Sequence, residues 1–182
     1  MRNEYQSWIQ TAPRFNREEA WPARQFPDAQ YRYFRDAGCL VCALAVMLER
    51  HGLDTANADG FDPWILNQRL IGCGAFSSAA DLELSFINML YPLEYLGAVP
   101  YTESALRRIA EEDAPCLITV PGINAERHFT AFLRFTPEGA VVFDPLCGER
   151  MLDAYGQICE VCAFRCTGND ADADPYRSLQ NQ

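Results

Sequence analysis

Three residues in this chain have the types and the placement for nucleophilic acyl chemistry: Cys39, His128 and Asp144. Cys39 follows a turn signal, Asp36-Ala37-Gly38, and opens an apolar run through Leu48. That pattern predicts a helix beginning at or beside the cysteine. Unpaired backbone N–H groups and the positive end of the helix dipole meet there, and both favour a thiolate over a thiol. A sulfur nucleophile then needs a base to shuttle its proton and a group to orient that base. The sequence contains 2 histidines, so the search is short. His51 stands beside Gly52 at the end of the predicted helix, where the dipole favours a cation and a structural role suffices. His128 starts an alternating apolar segment after the loop 122–126, where its side chain can face a cleft or simply cap a strand. Asp144 ends the next predicted strand, just before Pro145, a dipeptide that also serves as a turn starter. A hairpin turn at Pro137-Glu138-Gly139 returns Asp144 towards the level of His128, so that the carboxylate can hold an imidazole nitrogen.

The elements that must position these residues follow from periodicity and breakers. Leu40, Ala43, Leu44, Met47 and Leu48 recur at helical spacing, which predicts an amphipathic helix over 39–51 with Gly52 as its stop. Asp62 and Pro63 predict a second helix, capped by the aspartate and closed near Gly72 and Gly74. Ser77 or Ser78 is expected to cap a third helix over about 79–91, ended by Pro92. Residues 93–100 read as short extended or loop segments. Thr102 begins a further helix to about Ala110, with Glu103 and Arg107 a favourable pair. Strands are predicted at 115–120, 128–135, 140–144 and 158–165. Helices come first and antiparallel strands second, which is an α+β arrangement. Residues 1–30 read as an irregular or partly helical arm that packs Trp8, Phe15, Trp21 and Phe26 on the domain. The domain itself is assigned to 31–166, and the polar stretch 167–182 to a disordered tail.

The totals narrow the classes of partner. The chain has 182 residues, 49% of them hydrophobic, enough for one domain with a real core. Its formal net charge of -10 repels phosphate backbones, so no nucleic-acid partner is expected. No apolar run reaches the roughly 18–20 residues of a membrane span, and the first residues lack a signal-peptide pattern, so a cytoplasmic location is expected. Eight cysteines are then expected to be mostly reduced, buried thiols, with Cys73, Cys116 and Cys147 as packing residues and Cys147 near the Asp144 cleft. Cys39-x-x-Cys42 and Cys159-x-x-Cys162 have zinc-knuckle spacing. However, Cys42 lies in a helical pattern and the second pair in an alternating one, so no metal and no cofactor are expected.

A family resemblance joins these residues. The segment Gly38-Cys39-Leu40-Val41-Cys42-Ala43-Leu44-Ala45-Val46-Met47-Leu48 resembles the nucleophile helix of the papain-like cysteine peptidase superfamily, in particular of bacteriocin-processing (double-glycine leader) peptidase-like single domains. His51-Gly52 and Leu66-Asn67-Gln68-Arg69-Leu70 look like its aromatic-Gly and Leu-Asn-x-x-Leu segments. His128-Phe129-Thr130-Ala131-Phe132 and Val142-Phe143-Asp144-Pro145-Leu146-Cys147-Gly148 resemble its His strand and its Asp-Pro-x-x-Gly motif. The resemblance covers about 31–166. It implies a papain-like α+β fold with Cys39 as nucleophile, His128 as base and Asp144 as orienter, acting on a peptide or protein substrate. Two departures stand out: Leu40 replaces the glycine usual after the cysteine, and the oxyanion glutamine, usually a few residues upstream, has as candidates Gln30, nine positions before Cys39, and Gln25, further still. Hydrolysis of a peptide or related amide bond is therefore the expected activity. The alternatives are acyl transfer by the same triad, a catalytically silent fold used for binding, and a redox or zinc protein. The aromatic arm could also dock a partner or a second copy of the chain.

Overall fold

A computed structural model of the chain describes residues 5–12, 34–53, 61–77, 81–122 and 127–167. The apolar run that opens at Cys39 folds as helix α2, Cys39–Arg50, after a single helical turn α1, Phe34–Ala37. The expected one-sided apolar stripe is too narrow a reading of α2. Every residue from Val41 to Leu48 is buried, because the helix is covered all round. A sheet packs on one side and helix α3, Pro63–Gly72, on another. Near its C-terminal end, the Tyr5 hydroxyl from the N-terminal segment donates to Glu49. Helix α3 starts as predicted, with the Asp62 carboxylate accepting from the Ile65 N–H at 2.9 Å and Pro63 in the first turn.

The sheet has six strands: β1 (Leu93–Pro100), β2 (Cys116–Pro121), β3 (Arg127–Thr136), β4 (Gly139–Asp144), β5 (Gly148–Met151) and β6 (Glu160–Cys166). Their order is β1-β6-β2-β3-β4-β5, and every neighbouring pair is antiparallel. One face packs Leu117, Ala131, Leu133, Phe143 and Phe164 against α2 and α3. The other packs Ile118, Val120, Val142 and Val161 against Leu106 and Ile109 of helix α4, Glu103–Glu111. Burial on both faces explains why β2 and β4 read as nearly unbroken apolar runs. Thr102 caps α4 through the Ala105 N–H at 3.1 Å, and Arg107 pairs with Glu103, as the spacing predicted.

Three expectations are corrected. No α-helix forms over the described part of 79–91. Leu82 bridges back to Phe76 and the Glu83 N–H bonds the Ala75 carbonyl, which leaves only a short 3₁₀ segment, Leu84–Met89, before Pro92. Residues 93–100 form a full edge strand rather than scattered extended pieces. A register shift between Tyr95 and Gly97, with Gly97 at φ 108°, breaks the alternation that would have revealed it. Strand β5 was not foreseen, being only 4 residues long.

The N-terminal arm is described over 5–12. There a 3₁₀ turn, Gln6–Trp8, sets Tyr5 edge-on to Phe143 and Trp8 edge-on to Phe61. Phe15, Trp21, Phe26, Gln30 and the tail from 168 onward lie outside the described residues. Among the described residues no helix is long and apolar enough to cross a membrane.

Gly38 sits between α1 and Cys39. A Cβ there would lie 2.6 Å from the Phe34 carbonyl oxygen and 2.7 Å from its ring. Phe34 is itself fully buried and meets Trp64 edge-on, so it has little room to retreat. Gly38→Ala is therefore expected to cost about 1–3 kcal/mol through overpacking. A fall in the denaturant midpoint at unchanged slope would register it, and an unchanged midpoint would contradict the close approach.

Candidate active site

Cys39 occupies the first position of α2, with Gly38 as the N-cap residue. His128 is the second residue of β3 and Asp144 the last of β4. The two strands are antiparallel, and Ala131 stands opposite Phe143. The start of β3 and the end of β4 therefore lie at the same end of the sheet. His128 Nε2 and Asp144 Oδ1 are 2.8 Å apart. That contact leaves Nδ1 of the ring for the Cys39 thiol, which stands near enough to His128 to act on its protonation. The three residues named from sequence are thus brought close together, the sulfur beside the imidazole and the imidazole bonded to the carboxylate, although 89 positions separate the first two (128 minus 39). Gln30 lies outside the described residues, so the structure assigns no side chain to the oxyanion position.

The surroundings set the charge states. His128 is 8% exposed and Asp144 2% exposed. Burial of the imidazole disfavours its charge, but hydrogen bonds to Asp144 and Cys39 outweigh that and raise its pKa to about 9. Burial likewise disfavours the Asp144 carboxylate. Hydrogen bonds from His128, Tyr155 and the Leu146 N–H, together with the charge of His128, still hold its pKa down to about 2. At neutral pH the pair is accordingly imidazolium and carboxylate. An imidazolium beside a sulfur is the state from which a thiolate can attack and the ring can hand its proton to a leaving amine.

Sequence reading missed part of this shell. The Tyr155 hydroxyl donates to Asp144 Oδ2 at 2.5 Å, and the Leu146 N–H donates to Oδ1 at 2.7 Å. Both carboxylate oxygens are therefore occupied, and the carboxylate cannot swing away from the ring. Tyr155 ends a 3₁₀ turn, Leu152–Tyr155, and its ring lies 4.5 Å beneath the Arg150 guanidinium. Burial and the neighbouring carboxylate push the tyrosine pKa upward, so it stays a donor. The only signal for it in sequence is an aromatic 11 residues beyond Asp144, which nothing in spacing distinguishes from a packing residue.

Tyr155→Phe removes a donor from a buried carboxylate and is expected to destabilise the fold by about 1–3 kcal/mol at neutral pH. The sign with pH follows from the depressed Asp144 pKa. Stability from that depression is present above the unfolded carboxyl pKa and lost as pH falls towards about 2. The gap between parent and variant should therefore narrow on acidification, as followed by thermal midpoints from pH 7 to 2. A gap independent of pH would deny the hydrogen bond its electrostatic role.

The thiols fall into distinct settings. Cys42 is buried inside α2, and Cys116 and Cys162 are buried in the sheet. Cys147 and Cys166 are exposed, so the expected packing role for Cys147 is corrected: it lies beside Asp144 on the turn that follows β4. Among the described residues no group of three or more His, Cys, Asp or Glu side chains is placed to hold a metal ion. His51 closes α2 at the opposite end from Cys39 and takes no part in the chain. No protein-family model, curated protein or solved structure matches the sequence or the fold.

Proposed function

We propose that this protein is a cysteine hydrolase of papain-like type, cleaving a peptide or related amide bond through an acyl-enzyme on Cys39. One observation carries the reading: a thiol at a helix start stands beside an imidazole that is hydrogen-bonded to a buried carboxylate. In the reaction, the Cys39 sulfur attacks the carbonyl carbon and the carbonyl π electrons move to oxygen. The backbone N–H of Cys39 supplies one donor for that oxyanion. Collapse of the intermediate expels the amine, which takes the His128 Nδ1 proton as the C–N bond breaks. A water then attacks the thioester while His128 accepts its proton. The acid leaves, the thiol is restored, and Asp144 holds the ring in register through both halves. An amine in place of that water would give acyl transfer by the same steps. The chemistry draws on the chain's own side chains and backbone together with a water, and asks for a peptide or protein substrate.

The test needs no known substrate. The chain is treated with a limiting amount of iodoacetamide at neutral pH, and its eight cysteines are compared by peptide mass spectrometry. Cys39 is expected to alkylate ahead of the more exposed Cys147 and Cys166, because it has His128 beside it as a base, whereas burial and nearby carboxylates raise the pKa of the other two. His128→Ala is expected to abolish that lead. Labelling that simply follows exposure, unchanged in His128→Ala, would leave a silent fold used for binding.

A further inference from the structure

A cleft of about 330 Å³ lies at the far end of α2 from Cys39, between the ends of α2 and α4 and the outgoing half of β3. At 1.5 Å per residue, the helix separates it from the nucleophile by about 17 Å. Its volume is at the low end of the range that holds small organic ligands, about 300–1,000 Å³.

The chemistry of its walls is specific. Phe132 and Phe135 provide an aromatic floor, their ring centroids 5.3 Å apart. Two of its three guanidiniums are already engaged. Arg107 pairs with Glu103 and lies 4.4 Å over the Phe135 ring, and Arg134 pairs with Glu149 at 2.7 Å. Arg50 also lines the cleft and, among the described residues, forms no ion pair. Glu111 and Asp113 line it too, and neither forms an ion pair with Arg50 or with any other described residue. His51 adds no fixed charge at neutral pH, since burial lowers its pKa. Both α2 and α4 also end at this cleft, and the carbonyl ends of helices favour a cation.

A guanidinium and two carboxylates, unpaired among the described residues, thus face one small space without neutralising one another, above an apolar floor. A plain anion would meet Glu111 and Asp113, and a plain cation would meet Arg50. A molecule carrying both charges on one carbon answers both sides at once. We propose that the cleft at the C-terminal end of α2 binds a free α-amino acid with a large apolar side chain. Its carboxylate is held by Arg50, its ammonium by Asp113 and Glu111, and its side chain rests on Phe132 and Phe135. The site is separate from the Cys39 chain and does not depend on the activity proposed for it.

Calorimetric titration of the intact chain at pH 7 with three probes tests this. L-Phenylalanine carries both charges, 3-phenylpropionate the carboxylate alone, and 2-phenylethylamine the ammonium alone. The amino acid is expected to bind one site saturably, with each half-ligand weaker by about tenfold or more. Arg50→Gln should weaken L-phenylalanine to about the level of the amine while leaving the amine unchanged. Asp113→Asn should weaken the amino acid and the amine and leave the propionate unchanged. Asp113 sits at φ 50°, a conformation asparagine adopts readily, so this variant folds without new strain. No saturation up to about 10 mM, equal binding of all three probes, or binding untouched by both substitutions would each overturn the site.

Discussion

Cys39→Ala is expected to abolish acyl-enzyme formation and to lower any amide turnover by on the order of 10⁴-fold or more, with the fold intact. The size follows from the roles in the series. In the proposed reaction the sulfur makes the covalent bond, so without it the histidine and carboxylate have nothing left to activate, and members of such a triad act as a unit. The fold should survive because the thiol lies at the margin of the core, only partly buried. The measurement pairs hydrolysis of a library of peptidyl amides with a denaturation curve. Turnover retained in the variant would place the chemistry on another residue. A collapsed denaturation curve would show that the sulfur is needed for packing instead, and Cys39→Ser then separates the two by restoring volume without the thiolate.

Asp144→Ala is expected to act on stability and on pH dependence together. His128 and Asp144 form a pair that is almost fully withdrawn from water, and removing one member of such a pair costs about 3–5 kcal/mol. Without the carboxylate, burial dominates the imidazole and its pKa falls well below its present value of about 9. The sign with pH is fixed by that raised value. Stability gained from the protonated ring is present below the unfolded histidine pKa and is lost as pH rises through about 9. The parent should therefore weaken towards pH 9, and the variant should show no such alkaline loss. If the amide chemistry is as proposed, its alkaline limb, set by loss of the imidazolium proton, should lie near pH 9 in the parent. It should move to lower pH in Asp144→Ala, alongside a rate loss on the order of 10²-fold or more. Chemical denaturation and rate profiles across pH 5–10 read both effects, and an alkaline limb that stays in place would break the assigned link between the two residues.

Much of the site was legible because its residues carry signals that local physics writes into sequence. The turn before Cys39, the Asp62-Pro63 cap, the Thr102 cap and the hairpin at Pro137-Glu138-Gly139 each specify a boundary, and the boundaries set which residues begin and end elements. Asp144 could be aligned with His128 only because a single hairpin joins their strands. What stayed hidden lacked a period or a local cause. Tyr155 acts through a turn after a four-residue strand, and such a strand is too short to show alternation. β1 was masked by the shift at Gly97, and the expected helix over 79–91 was undone by pairing with residues 75–76. These are tertiary decisions that override segment preference. The all-round burial of α2 is of the same kind: an apolar stripe implies one wet face, whereas every residue from Val41 to Leu48 is covered and the helix meets solvent only at its ends, as at Arg50.

The strand order has a consequence for how the molecule is made. Among the described residues β6 is the last strand in sequence yet lies between β1 and β2, and β1 has no other neighbour in the sheet. While the chain is still emerging from the ribosome, the hairpins β2–β3 and β3–β4 can zip as soon as they appear. The ladder from Leu93↔Cys166 to Pro100↔Glu160 must wait for the final segment. Until then α2 has no Phe164 to rest on, and the flank of β2 stands open as a template for any passing extended peptide. The sheet therefore closes only once residues 160–166 have emerged, and a nascent chain stalled before residue 160 should be a client of chaperones rather than a folded domain.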